Sequence, residues 1–396
     1  MTVLSVVIPA YNEENGIAEI AARVLSVEPA LKKVGVERLE LLVVDDGSRD
    51  RTVEVAESIP GVCLIRHSKN KGYGAALKTG FSKASGELIG FLDADGTYPP
   101  EFFPQLCQEA LKGTDLVIGS RMAGEDSKMP LTRRVGNFFF ANLLTLLSRQ
   151  KVTDSASGMR VFRKEILERI YPLPDGLNLT PVMSTRAVHE GINIAEIPIP
   201  YSERVGRSKL SVIRDGSIFM QSMLWTALSY NPVRILGLLG LGGFAIAGIV
   251  FLWILYLRSQ GVTTLAPWGV AALFLALIST VTGVNLFALG ITFNYLVALF
   301  YKQPIRQGLF GKPIFKTPLD KQFGWMGLLG MIGGPVIALV VLLIGADSWE
   351  IGRLWFYMVC SALIFLVGVQ LLVYWLLLRI LEELSQREML TRQDMG

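Results

Sequence analysis

The sequence predicts an α/β domain built on a mostly parallel sheet, followed by an all-α membrane part. Three observations predict it. Within residues 1–234, continuous apolar runs of strand length alternate with amphipathic stretches; beyond them, four apolar runs are long enough to cross a bilayer. Charge follows the same division, with 28 basic and 27 acidic side chains up to Arg234 and 10 and 7 in the remaining 162 residues. The 396-residue chain is 51% hydrophobic and 18% charged, carries a net charge of +4 and has a mean hydropathy of +0.44. That profile excludes a disordered chain, a small disulfide scaffold and an ordinary soluble enzyme.

The first domain is expected over residues 1–208. Strands are predicted at Leu4–Pro9, Leu39–Asp45, Val62–His67, Glu87–Asp93 and Asp115–Ser120, with a later strand at Gly158–Arg163. Their hydrophobicity is continuous rather than alternating, which marks strands buried on both faces and places helices on both sides of the sheet. Glu14–Val27, Arg51–Ser58 and Gly74–Ala84 supply helices between them. Residues 209–233 mix apolar and polar side chains too evenly to span a bilayer and read as one or two amphipathic helices lying on its surface.

Residues 234–380 are expected to hold four transmembrane helices, at Ile235–Leu257, Pro267–Phe300, Trp325–Ile344 and Leu354–Leu378. A 23-residue helix rises about 34 Å, enough for a hydrocarbon core of about 30 Å. Asn285 and Asn294 should face protein or water rather than lipid. Span one also carries Gly242, Gly243 and Gly248, which allow close helix packing.

The segment Tyr301–Phe323 holds Lys302, Arg306, Lys312, Lys316 and Lys321 against Asp320 alone. The positive-inside rule makes this loop cytosolic, which gives a multi-pass protein of the cell membrane with both termini inside and 381–396 as a cytosolic tail. The N-terminal stretch lacks the charged and apolar regions of a signal peptide, so the first domain is expected in the cytosol as well. On that side of the membrane the sequon Asn178-Leu179-Thr180 is a false positive.

Nucleic acid is not an expected partner, because phosphate-backbone binding needs a basic surplus that this domain lacks. Cys63, Cys107 and Cys360 form no CxxC pair and read as reduced, buried thiols. Two histidines, His67 and His189, exclude a multi-His zinc site and leave little room for a His-based triad.

Chemistry gathers at the predicted strand ends, where ligands collect in such sheets. Asp93-Ala94-Asp95 follows a predicted strand, and alternation along it would place both carboxylates on one side. Two hard oxygen ligands without a neighbouring His or Cys suit Mg²⁺ or Mn²⁺, completed by substrate phosphates and water. An Asp-x-Asp pair also occurs as a solvated acidic turn, and Asp and Asn are frequent at strand ends for backbone hydrogen-bonding reasons alone. Its company is therefore informative: Pro9-Ala10-Tyr11-Asn12-Glu13-Glu14, Asp45-Asp46-Gly47-Ser48 and Asn70-Lys71-Gly72-Tyr73-Gly74 each follow a predicted strand. Gly72 and Gly74 make no GxGxxG fingerprint, and no GxxxxGK[ST] loop exists, which removes the dinucleotide and NTPase readings.

With these clusters the chain resembles a family-2 glycosyltransferase domain of the Rossmann-like GT-A fold. Gly119-Ser120-Arg121, Asp154-Ser155-Ala156-Ser157-Gly158-Met159-Arg160 and Arg204-Val205-Gly206-Arg207-Ser208-Lys209, together with the membrane hairpins, narrow the likeness to the polyprenyl-phosphate glycosyltransferases, the group of the dolichol-phosphate mannose synthases. The resemblance implies a nucleotide-sugar donor bound by Pro9, Tyr11, Glu13, Asp46, Lys71, Gly72, Asp93, Ala94 and Asp95, with the metal on Asp93 and Asp95. It implies a polyprenyl phosphate acceptor bound by Arg121, Ser157, Arg204 and Lys209, and catalytic roles for Asp93, Asp95, Arg121 and Asp154. Asp154 is open between orienting substrate hydroxyls and capping a turn, and Arg204 and Lys209 also suit a juxtamembrane basic patch. The mannose synthases commonly read DADxQ, whereas Gly96 and Thr97 follow Asp95 here. A homo-oligomer is compatible with the sequence but not specified by it.

The expected reaction is inverting transfer of a hexose-type sugar from a UDP- or GDP-sugar to undecaprenyl or dolichyl phosphate. A phosphate monoester, with a second pKa of about 6, is mostly dianionic at neutral pH and needs little base catalysis. Holding two anions together is the harder task, met by a divalent cation and by Arg and Lys. A processive polysaccharide synthase is disfavoured, since no QxxRW motif exists: Gln303-Pro304-Ile305-Arg306 runs into Gln307. A non-catalytic assembly or sensor protein of the same fold is disfavoured by the intact Asp93, Asp95, Arg121, Arg204 and Lys209.

Overall fold

The computed structural model describes residues 2–122, 131–147, 152–201, 212–262, 264–301, 319–345 and 351–395. In chain order the first part runs β1 (Val3–Ala10), α1 (Ile17–Ser26), α2 (Glu28–Lys33), β2 (Arg38–Asp45), α3 (Thr52–Glu57), β3 (Val62–Arg66), α4 (Tyr73–Lys83), β4 (Leu88–Phe91), α5 (Phe103–Leu111), β5 (Leu116–Ser120) and α6 (Leu131–Leu147). It continues through β6 (Arg160–Arg163), α7 (Leu167–Ile170), α8 (Leu179–His189), β7 (Ile194–Pro198) and α9 (Val212–Tyr230). Four long helices follow, α10 (Pro232–Ser259), α11 (Pro267–Tyr301), α12 (Phe323–Gly345) and α13 (Ile351–Met395). Two compact units divide at Ala227 and Leu228.

The sheet of the first unit has the order β3-β2-β1-β4-β6-β5-β7. All pairs are parallel except those of β6, which runs antiparallel between β4 and β5. Successive strand residues feed opposite cores. Leu4, Val6, Ile8, Leu41 and Val43 pack with Ile17, Ile20 and Leu106 on one face, while Val7, Leu42, Val44, Ile89 and Phe91 pack with Leu77, Phe81 and Met183 on the other. A tilted and edge-on cluster of Phe81, Phe91 and Phe162, with centroids 5.2–6.5 Å apart, fills the second core; such pairs add about 0.5–1.5 kcal/mol each beyond area burial.

The direction of β6 positions the site. Because it is antiparallel, with Arg160 opposite Phe91, the loop that precedes it arrives at the same edge as the carboxyl ends of β1, β2 and β4. Residues 152–159 therefore meet the turns after those strands, although they are far apart in sequence.

Several expectations change. β4 ends at Phe91 rather than Asp93, so alternation along a strand is not what gathers Asp93 and Asp95; they lie in the turn that follows, where Gly96 takes a φ of +73°. Cys63 is exposed, not buried, because β3 is an edge strand whose outer positions face solvent. β7, α6 and α8 were not among the predicted elements. α6 departs from a simple amphipathic pattern because it leaves Val135, Phe138 and Phe139 exposed, Phe138 to 64%.

In the second unit, four helices are long and apolar enough to cross a membrane: Pro232–Ser259, Pro267–Phe300, Leu319–Ile344 and Phe356–Leu384. Their outer faces expose large side chains such as Ile249, Leu252 and Leu343, which suits a lipid environment and not water. α10 and α11 approach closely through Gly240 and Gly283, and Gly243 meets the Ser279 carbonyl, whereas Gly242 and Gly248 meet nothing. Asn285 accepts from the Tyr374 hydroxyl at 3.4 Å, and Asn294 is buried. The segment after residue 380 is helical, since α13 continues to Met395. The basic segment used to orient the spans lies mostly outside the described residues.

Candidate active site

A cavity of about 410 Å³ opens at the carboxyl edge of the sheet. Among its lining residues are Pro9, Tyr11, Glu13, Asp46, Gly72, Asp93, Ala94, Asp95 and Arg121, so eight of the nine expected donor-site residues and Arg121 come together. Lys71 is the exception. Its side chain is exposed, and it contributes its backbone N–H to Asp46 instead.

Each acidic side chain is held by identifiable partners. Asp93 Oδ1 accepts from the Tyr73 hydroxyl at 2.8 Å, and a Cβ on Gly158 would stand only 2.6 Å from Asp93 Oδ2. Burial raises the Tyr73 pKa well above its ordinary value, and the charge and hydrogen bond of Asp93 add to it, so the phenol stays a donor. Asp95 Oδ1 accepts from the Thr97 hydroxyl at 2.6 Å and from its backbone N–H at 3.2 Å. Thr97 thus orients Asp95. Asp46, almost wholly buried, accepts from His67 Nδ1 at 2.7 Å and from the N–H groups of Lys71 and Gly72 at 2.9 and 2.8 Å. Its carboxylate is committed to shaping the loop before α4. Gly72 belongs in that loop because its φ is +105° and a Cβ would lie 2.5 Å from the Asp175 carbonyl.

The second cluster centres on Arg121 and Asp154. Arg121 Nε and Nη2 reach the two oxygens of Asp154 at 2.8 and 2.7 Å, and its backbone N–H adds a third bond at 3.0 Å. Asp154 is completely buried. Burial alone would raise its carboxyl pKa, but the charge and hydrogen bonds of Arg121 outweigh that and hold it below the usual range. For Arg121, burial pulls the other way and the Asp154 charge wins, keeping the guanidinium charged. The rings of Tyr98 and Tyr201 flank it, with centroids 5.8 and 5.6 Å away, a cation–π arrangement.

Beneath the pair, Glu196 of β7 accepts the N–H groups of Thr153 and Asp154 and the Thr153 hydroxyl, all within 2.8–3.0 Å. Arg160 is fully buried and donates to the carbonyls of Ser157 and Ser155. Burial draws its pKa down to about 10, against the opposing charge of Asp154. Ser157 does not line the cavity; its hydroxyl is spent on the Gly119 carbonyl at 2.6 Å. Asp154 is likewise absent from the lining; it is met by the lining residues Arg121 and Asn137. Arg204 and Lys209 lie outside the described residues.

Tyr73, Tyr98, Asn137, Glu196 and Arg160 were missed as site residues. Tyr73 and Arg160 sat inside motifs already noted; the others carried no sequence signal. Among the described residues no three His, Cys, Asp or Glu side chains form a ready-made metal cage.

Residues 5–171 match the family described as Glycosyl transferase family 2, and residues 232–392 match a domain of unknown function, DUF8752. A dolichyl-phosphate hexose transferase of Haloferax volcanii is 33% identical over 225 residues, covering 57% of this chain and 94% of that protein. An undecaprenyl-phosphate 4-deoxy-4-formamido-L-arabinose transferase of Pseudomonas aeruginosa is 32% identical over 309 residues, covering 75% and 86%. Among solved structures, glucosyl-3-phosphoglycerate synthase from Mycobacterium tuberculosis in complex with UDP aligns over 57% of this chain and 80% of that one, at 22% identity and a TM-score of 0.46. The mostly parallel sheet and the match over its strands agree with relatives spanned almost end to end: the chain belongs to glycosyl transferase family 2 and is a glycosyltransferase.

Proposed function

We propose that the protein moves a hexose-type sugar, with inversion at its anomeric carbon, from a UDP- or GDP-sugar to a polyprenyl phosphate such as undecaprenyl or dolichyl phosphate. The carrying observation is that one cavity is lined both by the Asp93–Asp95 pair and by Arg121, whose charge is fixed by buried Asp154. The acceptor class is taken from the names of the two relatives.

Among the described residues, the lining sets Glu13, Asp46, Asp93, Asp95 and Asp215 against Arg121. A diphosphate entering so acidic a cavity needs a cation between it and the carboxylates. Asp93 and Asp95 supply hard oxygens of the kind Mg²⁺ or Mn²⁺ prefers, with substrate oxygens and water completing the shell. Bound there, the cation supplies charge neutralisation for the departing nucleoside diphosphate. Tyr73 and Thr97 hold the two carboxylates in place for it.

Arg121 serves the other anion. Asp154 occupies Nε and one Nη2 hydrogen, which leaves the Nη1 side of the fork for the attacking phosphate. Because that phosphate is already dianionic, no side chain has to take its proton. Asp154 is a positioning residue, kept ionised by Arg121. Tyr98 and Tyr201 keep water from the guanidinium and so strengthen its field. Arg204 and Lys209 would add to this phosphate site. The exposed Phe138, Phe139 and Trp225 of α6 and α9 suit a lipid surface, and a ring contact of Phe140 with Phe219 joins the two helices. The catalytic unit and both termini are assigned to the cytosolic side.

The test is to incubate the purified full-length protein with radiolabelled UDP- and GDP-sugars and undecaprenyl phosphate and to extract lipid. Label should enter the organic phase only when acceptor is present. Label that stays aqueous for every donor would refute the reading.

A further inference from the structure

Asn137, on α6, lines the cavity and is 5% exposed. Its Nδ2 donates to Asp154 Oδ1 at 3.0 Å, while its Oδ1 is buried without a hydrogen-bond partner. The amide cannot be turned over. Asp154 is held ionised and offers only acceptors, so nitrogen must face it and the carbonyl must face away. Asp154 is itself locked by Arg121 and its backbone by Glu196, so this acceptor is rigid. A buried acceptor left without a donor is costly, and native structures rarely keep one unless something outside the chain supplies the donor.

Among the described residues, Ser155 Oγ and Arg160 Nη1 are also buried without partners in this part of the fold, but neither residue lines the cavity. Asn137 does, and its need is for a donor. A dianionic phosphate has none, and the polyprenyl chain has none. The donor molecule carries such groups in its sugar, as hydroxyls or an N–H, and in its nucleoside, as ribose hydroxyls and base N–H groups; binding of UDP and GDP alone separates the two.

We infer that Asn137 Oδ1 accepts a hydrogen bond from one hydroxyl or N–H of the donor sugar, which makes Asn137 a specificity-determining residue. The inference rests on the reading of the cavity as a nucleotide-sugar site. A fixed polar group rejects an analogue lacking its partner far more strongly than an apolar wall does, because both sides lose the bond and the protein group stays buried.

The experiment measures equilibrium binding to the full-length protein in detergent of UDP-glucose and GDP-mannose, their monodeoxy congeners, and UDP and GDP alone. Wild type should lose roughly tenfold to a hundredfold in affinity for one congener. Asn137→Ala should bind the parent sugar nucleotide more weakly by a similar factor, show no further loss for that congener, and bind the nucleoside diphosphate as wild type does. Equal congener penalties in the two proteins would overturn the assignment, as would a matching fall in nucleoside diphosphate affinity. Should Asn137→Ala misfold, the wild-type series decides by itself: no congener weakened beyond about threefold refutes the inference. Failure to bind any sugar nucleotide would bring down the reading of the cavity and this assignment with it, whereas binding with uniform penalties brings down Asn137 alone.

Discussion

The Tyr73 hydroxyl donates to Asp93 Oδ1 across 2.8 Å, and Tyr73 is the first residue of α4 while Asp93 follows β4. The helix that begins at the Gly72 turn thus sets the orientation of the first carboxylate of the acidic pair. A hydrogen bond to a charged group contributes about 1.5–3 kcal/mol. Tyr73→Phe should therefore lower kcat/KM by roughly tenfold to a hundredfold, with little change in melting temperature. Initial rates and a thermal melt on the same preparation check this, and an unchanged kcat/KM would release Asp93 from the dependence.

Gly158 guards the other side of the same carboxylate. A Cβ there would lie 2.6 Å from Asp93 Oδ2, closer than van der Waals contact allows, so Gly158→Ala must displace Asp93. Misplacing a reacting group by about 1 Å can cost about a hundredfold. The variant is expected to fold and to lose more activity than Tyr73→Phe. Activity close to wild type would mean that the Asp93 position is not critical.

Removing one member of the Arg121–Asp154 pair leaves the other buried and unpaired. Asp154→Ala should destabilise the first unit by about 3–5 kcal/mol, and replacing both residues should cost less than the two single changes added together. Thermal melts of the two single variants and the double variant measure the coupling. Strict additivity would deny it.

The pH dependence follows from the same pair. The Asp154 pKa is lower folded than unfolded, so its contribution to stability is complete above about pH 4 and is lost only as pH falls through the depressed folded value. Between pH 5 and 8 the pair does not titrate. The acid limb of kcat/KM should then have a midpoint near 6, set by the second ionisation of the acceptor phosphate. That midpoint should stay in place in Arg121→Lys. A midpoint that moves with the substitution would assign the limb to the protein.

Much of this arrangement was legible in the sequence for a physical reason. Strands buried on both faces must be apolar throughout, and helices facing lipid must be apolar over their whole length, so β1, β2 and the four long helices announce themselves. Asp46, Asp93 and Asp95 were legible because they crowd short turns directly after such runs. What escaped was long-range. Glu196 lies in β7, and only the sheet register brings it under Thr153 and Asp154, 43 and 42 residues away. Asn137 sits in a helix whose exposed Phe138 and Phe139 blur the pattern that would have marked it. Ser157 and Lys71 stand beside cavity-lining residues in their motifs, yet the backbone turns the Ser157 hydroxyl to the Gly119 carbonyl and leaves the Lys71 side chain exposed. Short-range neighbourhood identifies a loop; direction within it depends on the fold.

Asp95 and Arg121 line one cavity, and the proposal that they serve different anions is most directly tested by donor affinity, acceptor KM and single-turnover transfer in Asp95→Asn and Arg121→Lys. Asp95→Asn should abolish the dependence of donor binding on Mg²⁺ or Mn²⁺ and slow transfer by an amount equal to several kcal/mol. Arg121→Lys, which loses the two-point grip on Asp154 and the planar fork, should raise acceptor KM by tenfold or more and leave donor affinity unchanged. Wild-type transfer by Asp95→Asn, or a donor defect without an acceptor defect in Arg121→Lys, would contradict this assignment of the two residues.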